Sequence, residues 1–422
     1  MFLEALRRRN PGFLRAAASL HAQGALPANS YALDLDAITA NTRALSEEAA
    51  RHSLTAFAMT KQMGRNPRFC AAVRAGGIDA AVAVDMADAR AVHAAGMRLG
   101  HLGHLVQVPG HEAGEAAAYR PDYWTVFSRA KAAEAAAASS AAGTVQDILL
   151  RIHAGGDTFY TGHEGGVPAE QAAEEADYVD NLAGARFAGL TSFPALLFSE
   201  PDGTVTPTHN LATLQRAAAR LRETGRTPQI NAPGTNSTVM LGTLAEAGAT
   251  QVEPGHALTG TTPLHAIRDD LPEIPAAAYV TEVSHLHGGR AYCFGGGLYI
   301  DPVFTDYQVR ALVAPGGDFD SAFLADAEIP PPSAIDYYAM LTPPDTNAYR
   351  NGGSAPGTGG GATIRPGDTV LFGFRIQAFF TRAYVVPISG VHSAAPAAEG
   401  VWATDGTPAL WPGNPIPAAA AR

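Results

Sequence analysis

Residues 55–67 read TAFAMTKQMGRNP, and the fold turns on how this stretch is parsed. TAFAMTK is a short apolar run of the kind that forms a buried strand, and it ends on a charged residue, Lys61. Gly64 follows as a turn residue, and Pro67 stands where a helix begins. The stretch therefore reads as strand, turn and helix, with a lysine at the C-terminal end of the strand. Of the 29 basic residues only Lys61 and Lys131 are lysines. Chemistry that needs a primary amine, such as an imine with a carbonyl group, has only these two side chains to draw on. Lys131 lies in the Ala-rich helical stretch SRAKAAEAAAASSAAG, where a solvated surface amine is the plain reading. A strand-end lysine is often a solvated amine too, but the scarcity of lysine moves Lys61 toward chemistry.

Working outward, short β-type runs alternate with helical stretches. After an initial strand YALDLD (31–36) and a helix ITANTRALSEEAARH (38–52), eight strands follow at 55–61, 79–84, 98–104, 123–128, 146–154, 187–193, 228–233 and 250–255. The helices have credible ends: NLATLQRAAARLRETG closes on Gly225, and TNSTVMLGTLAEAG opens on Thr235 and Asn236 and closes on Gly248. Eight strands joined by helices predict an α/β fold, a closed (β/α)8 barrel of the TIM type. Such barrels work at the C-terminal ends of their strands, where Lys61, His104, Arg151, Ser192, Asn231 and Glu253 all fall.

After about residue 276 strand-like runs appear without helices between them: AAAYVTEVSHL, RAYCFGGGLYI, DTVLFGFRIQAFF and AYVVPISGV. This predicts a mostly antiparallel β domain. The expected division is a barrel with an N-terminal helical arm over 1–275 and a β domain over 276–422. Residues 312–366, which contain EIPPP and SAPGTGGGA, read as a long excursion, and the Gly-rich part as a linker rather than a phosphate cradle.

Composition narrows the function classes. A net charge of −11 argues against nucleic acid or an acidic membrane surface as partner. No apolar run is long enough to span a membrane, and MFLEALRRRNPGFL lacks the build of a secretion signal. The only two cysteines, Cys70 and Cys293, cannot form a disulfide framework, which fits a reducing, cytoplasmic setting and a small-molecule partner.

Several other residues could carry chemistry, each beside a plainer reading. Glu253 in VEPGHALTG ends the last barrel strand, or is an ordinary turn carboxylate. Asn236 and Ser237, at a helix start, and the turn Pro254-Gly255-His256 offer backbone N–H groups to an anion at the strand ends where barrels commonly bind phosphate. Arg151, a charge inside ILLRIHA, points to the barrel mouth or to an interior ion pair. His104 in GHLGHLVQVP serves a ligand or the structure. His285 and His287 alternate in SHLHGG, but no third ligand accompanies them and no metal site is expected. Asp336, Tyr337 and Tyr338 in SAIDYY reach a substrate or anchor a loop.

TAFAMTKQMGRNP resembles the Schiff-base lysine segment of the alanine-racemase and ornithine-decarboxylase superfamily, and YALDLDAITANTRAL resembles its first strand and helix. GLTSFP, APGTNS and VEPGHALTG follow in the expected order. The opening MFLEALRRRNPGF with MTKQMGRNP, GHLVQVPGH and EPGHALTGT looks most like the YhfX-like branch, usually described as predicted amino-acid racemases. The resemblance covers about residues 30–390. It implies pyridoxal 5'-phosphate held as an imine on Lys61, with Ser237 and the backbone of Gly255 and His256 at its phosphate and Glu253 at its pyridine nitrogen. His104, Arg151, Ser192 and Asn231 would complete the cofactor site. It further implies an amino-acid substrate and a homodimer with shared active sites.

The sequence departs from the racemases in three places. They carry arginine at the pyridine nitrogen, where this chain has Glu253 in an EPG turn like that of the decarboxylases. They have a histidine near the end of strand six, where this chain has Ser192. Their second base is a tyrosine from the partner's β domain, and the matching stretch AYCFGGGLY places Phe294 nearest, with Tyr292 and Cys293 beside it. Racemisation or epimerisation at Cα is the first expectation, with Lys61 serving one face and Tyr292 or Cys293 the other. Cys293 is equally well explained as a small buried hydrophobe. The alternatives are an amino-acid decarboxylase, a D-threonine-aldolase-like lyase and a carrier of the cofactor without turnover.

Overall fold

The computed structural model describes residues 1–295, 298, 303–304, 308–343 and 363–412. The Gly-rich stretch 354–362 lies outside the described residues. Eight parallel strands form the expected barrel, in the order Thr55–Met59, Ala80–Ala83, Arg98–Leu102, Tyr123–Val126, Gln146–His153, Ala185–Thr191, Gln229–Asn231 and Gln251–Val252. The first strand breaks at Phe57: Thr55–Ala56 pairs with the last strand and Ala58–Met59 with the second, which closes the barrel. Amides of Phe57 and Met59 carry the closure past the break, each donating across 2.9 Å to carbonyls of Val252 and Pro254. Gly100 makes room for the Phe57 ring, since a Cβ there would lie 2.3 Å from it. The helices are stopped and started locally. Asn66 caps Pro67–Ala75 by accepting from the amides of Arg68 and Phe69, and Ser128 caps Arg129–Ala141 by accepting from that of Lys131.

The second sheet is also closed. Ala277–His287, Arg290–Phe294, Tyr338–Thr342, Phe323–Glu328, Arg310–Ala314 and Thr369–Phe372 pair antiparallel in a ring that returns to Ala277–His287. Residues 310–342 are therefore not an excursion, because three of the six ring strands come from them. DTVLFGFRIQAFF also differs from its reading as one strand. The strand stops at Phe372, where Gly373 packs so tightly on the first helix that a Cβ would lie 2.5 Å from the Leu3 nitrogen, and residues 374–380 turn toward the barrel.

The chain's first 34 residues join this second sheet rather than the barrel. Strand Ser30–Asp34 runs antiparallel to Ala277–Val280 and parallel to Tyr384–Ile388. Helices Phe2–Arg9 and Pro11–Ala22 bury Leu3, Leu6, Phe13 and Leu14 against Ala278, Val280, Leu371 and Ile388. Asp34 then links the domains: its carboxylate caps helix Leu35–Arg51 and accepts from Asn10 Nδ2 at 2.8 Å. No described helix is long and apolar enough to cross a membrane.

Candidate active site

Lys61 opens a tight turn, Lys61–Met63, that closes on Gly64 in the left-handed region. A side chain at Gly64 would be strained there and would also press on Thr404, about 3.1 Å from its Cβ. The Lys61 ammonium makes no ion pair or hydrogen bond with a described residue. It lies over the Phe379 ring, 5.4 Å from the centroid, and Phe379 comes from the segment that leaves the second sheet. Burial pushes its pKa below the usual lysine range, against the opposing fields of Asp88 and Glu253.

Glu253 follows the last barrel strand and is buried. Its Oε1 accepts from His101 Nδ1 at 2.5 Å and from Asn231 Nδ2 at 2.8 Å. Its Oε2 has no hydrogen-bond partner among the described residues, and His104 Nδ1 is 3.3 Å away. Burial opposes ionisation, but the two histidines and the hydrogen bonds from His101 and Asn231 outweigh it and hold the carboxyl at about 2. Burial dominates at His104, which is pushed down to about 3 and is neutral near pH 7. The fields of Lys61 and Arg151 both reach His104, so the four groups share one neighbourhood.

Arg151 is 1% exposed and has no ion pair among the described residues. Its Nη2 donates to the His163 carbonyl at 2.6 Å, its Nε has no partner, and its guanidinium lies over Phe127 and Phe159. Burial alone lowers its pKa to about 10. The interior ion pair that was one reading of this residue is thus absent among the described residues.

At the anion end, the amides of Ser237, Gly255 and His256 have no acceptor among the described residues, and the buried Ser237 hydroxyl has no partner. The His256 ring is anchored on the Ile376 carbonyl at 2.9 Å, so its backbone rather than its side chain faces the opening. Gly255 is hemmed in by Gln62, 2.8 Å from where a Cβ would stand. Ser192 is buried and accepts from Asn210 Nδ2 at 3.2 Å. Asn231 supports Glu253 and takes a bond from Thr191 on its other end, 2.8 Å, which makes it a brace rather than a ligand-facing group.

Unpartnered buried polar atoms are uncommon because each costs roughly 1–3 kcal/mol. Here Thr60 Oγ1, Gln62 Oε1, His104 Nδ1, Arg151 Nε, Ser237 Oγ and Glu253 Oε2 gather at one end of the barrel. A ligand with an anion at one end, a basic ring atom at the other and a carbonyl for Lys61 fits that set, and pyridoxal phosphate has all three.

The β-domain candidates fare differently. Cys293 points into the ring's core, fully buried, and its thiol donates to the Ala339 carbonyl at 3.7 Å. Burial pushes it up to about 12, so it is a core residue and not a base. Strand alternation puts Tyr292 and Phe294 on the outer face, where Tyr292 stacks on His285 at 4.6 Å. His285 is thereby stacked on the outer face of this sheet. Asp336 pairs with Arg382 at 2.5 Å, and Tyr337 lies against the same guanidinium, which is loop anchoring. Tyr337 and Tyr338 line an aromatic groove of about 560 Å³ with Phe294, Tyr384 and Trp411, away from the residues above.

Residues 33–263 match the family described as alanine racemase, N-terminal domain, and residues 278–398 match the YhfX-like C-terminal domain. The chain belongs to the alanine-racemase family, in its YhfX-like branch. The YhfX protein of Escherichia coli K12 is 38% identical to this YhfX-like chain over 397 residues, covering 94% of it and 96% of the relative. Solved structures share the fold at low identity. D-threonine aldolase from Filomicrobium marinum has a TM-score of 0.62 at 17% identity, over 89% of this chain and 95% of that one. Alanine racemase from Clostridium difficile 630 has 0.62 at 13%, over 89% and 98%. D-threo-3-hydroxyaspartate dehydratase from Delftia sp. HT23 has 0.61 at 16%, over 88% and 97%. The fold family is one of pyridoxal-phosphate enzymes whose reactions diverge.

Reading the sequence missed His101, Thr125 and Thr191 in the YhfX-like barrel. A signal existed in GHLGHL, where a histidine in the interior of a parallel strand is as conspicuous as the one at its end.

Proposed function

We propose that this chain is a pyridoxal-phosphate-dependent amino-acid racemase or epimerase acting at Cα. The observation that carries the reading is the unpaired Lys61 amine in the same electrostatic neighbourhood as Glu253, whose second oxygen is unpartnered. Lys61 would anchor the cofactor, Glu253 Oε2 would hold its ring nitrogen, and Ser237 with the amides of Gly255 and His256 would hold its phosphate. When bound, the cofactor supplies an electron sink that makes the substrate's Cα–H acidic.

The protein's own part is proton handling and placement. Burial lowers the Lys61 pKa and so favours its free amine, and Lys61 Nζ takes or returns the Cα proton on one face. Arg151 offers the anionic part of the ligand an uncompensated cation in a dry, aromatic setting. Phe379 covers one side of the Lys61 amine. On the opposite face we assign the proton to Tyr292 of a second copy in a homodimer, since Tyr292 lies on the outer face of its sheet and Cys293 does not.

Glu253 favours a second reading, decarboxylation or aldol cleavage, because a carboxylate at the ring nitrogen strengthens the electron sink beyond what racemisation needs. Proton NMR in deuterated water, with pooled L- and D-amino acids and the cofactor, separates the two. The expected result is loss of the Cα signal with appearance of the opposite enantiomer. An amine or aldehyde product would replace racemisation with the second reading, and silence across the pool would count against both.

A further inference from the structure

We propose that His101 is a positioning residue that fixes the orientation of Glu253, spending one carboxylate oxygen so that the other stays free for the cofactor's ring nitrogen. The inference rests on the cofactor reading above and assigns a residue that reading does not use.

His101 lies inside strand Arg98–Leu102 with no solvent exposure, while Glu253 follows a strand on the opposite side of the closed ring. The two meet at 2.5 Å across the barrel interior. His101 is held from behind, its Nε2 being 2.6 Å from Thr125 Oγ1. Glu253 is held from its other flank by Asn231, which Thr191 holds in turn. The chain Thr125–His101–Glu253–Asn231–Thr191 thus ties five barrel strands together through one carboxylate. Both donors converge on Oε1, and Oε2 receives nothing from the described residues.

A carboxylate held by Asn231 alone would be free to rotate and turn either oxygen to His104, 3.3 Å from Oε2. Two donors on a single oxygen remove that freedom. Interior placement in a low-dielectric setting makes the restraint worth more than the same bonds in water. The same three side chains, His101, His104 and Glu253, have the composition of a metal site, with ligand atoms within 4.8 Å of one another. However, ligand atoms on one tetrahedral zinc ion, each about 2.0 Å from the metal, stand roughly 3.3 Å apart. The separation of 2.5 Å between His101 Nδ1 and Glu253 Oε1 is that of a hydrogen bond.

The test compares pyridoxal phosphate with its 1-deaza analogue, which lacks only the ring nitrogen. Both are titrated by absorbance against the wild-type protein and the variants His101→Phe, His101→Asn and Thr125→Val. Wild type is expected to prefer the natural cofactor. Loss of one charge-assisted hydrogen bond in His101→Phe should cut that preference about tenfold, with the affinity for the analogue unchanged. His101→Asn keeps a donor toward Glu253 and should restore most of the preference. Thr125→Val, which frees His101 without touching Glu253, should lower it to a lesser degree and provides the answer if His101→Phe does not fold.

An equal loss of both ligands would show a merely structural histidine and overturn the proposal, as would an unaltered preference in both His101→Phe and Thr125→Val. Stoichiometric zinc retained by the purified wild type and lost in His101→Phe would overturn it in favour of a metal site. If wild type binds neither ligand, the cofactor reading fails and takes this proposal with it. A cofactor bound normally with no effect at His101 sinks the proposal alone.

Discussion

Two closed sheets stand side by side in this chain, and they differ in what they enclose. The antiparallel ring is filled by Val283, Ala291, Cys293, Val313, Ala325, Leu341, Val370 and Phe372, all part of an apolar core. The parallel barrel is apolar over much of its length too, but at its C-terminal end it buries an arginine, two histidines and a glutamate beside a half-buried lysine, with several polar atoms left unpartnered among the described residues. Closure of a sheet does not by itself mark a site. Several desolvated, unpartnered polar atoms gathered at one end of a barrel do, because folding alone gives no return on that cost.

The largest test of this contrast is Lys61→Ala. It should abolish both the visible absorbance that pyridoxal phosphate develops with the protein and Cα exchange, whereas Lys131→Ala should keep both. A band retained in the first variant would break the contrast at its centre. Glu253→Gln should leave the absorbance and slow exchange by on the order of a hundredfold, because the amide cannot stabilise a protonated ring as the carboxylate does. An unchanged rate would reduce Glu253 to a turn carboxylate.

Cys293→Ser probes the other sheet. Its added polarity in a dry core should lower stability by about 1–2 kcal/mol in urea denaturation and leave the exchange rate alone. A tenfold slower exchange would return Cys293 to the chemistry.

The smallest expected effect is on acid stability. His104 binds its proton at about 3 in the folded chain against 6.5 for an ordinary histidine, so the unfolded chain takes the proton first. Stability is then complete above pH 6.5 and drains as the pH falls toward 3. Glu253, at about 2 against 4.5, adds a loss that begins near pH 4.5 and runs toward 2. His104→Gln should flatten the decline of the urea midpoint from pH 6.5 downward and also soften the fall below 4.5, because the His104 charge is the largest cause that lowers the Glu253 pKa. Parallel declines in the two proteins would assign the acid sensitivity elsewhere.

Much of this was legible in the sequence, for identifiable reasons. The barrel announced itself because each strand is followed by its own helix, so local pattern and global topology agree. Lys61 stood out through the scarcity of its residue type, and Glu253 through its place at a strand end. What escaped depended on partners far away in sequence. YALDLD reads as an initial strand of the barrel domain until its neighbours at 277–280 and 384–388 are known, and FRIQAFF looks like a strand until Gly373 is seen pressed on Leu3. His101 and His104 sit three apart in one motif. Only the end of the strand at Leu102 shows that the first lies inside the barrel and the second at its rim.

The placement of Ser30–Asp34 between Ala277–His287 and Tyr384–Ser389 has a bearing on synthesis. The Tyr279 hydroxyl bonds Asn29 across 250 residues of chain, and the strand's other neighbour, Tyr384–Ile388, is made later still. A nascent chain emerges with this strand and two apolar helices in hand and completes the whole barrel before anything exists to cover them. Until that pairing forms, the segment exposes apolar surface and an unpaired strand edge, the two features that make partly folded chains prone to aggregate.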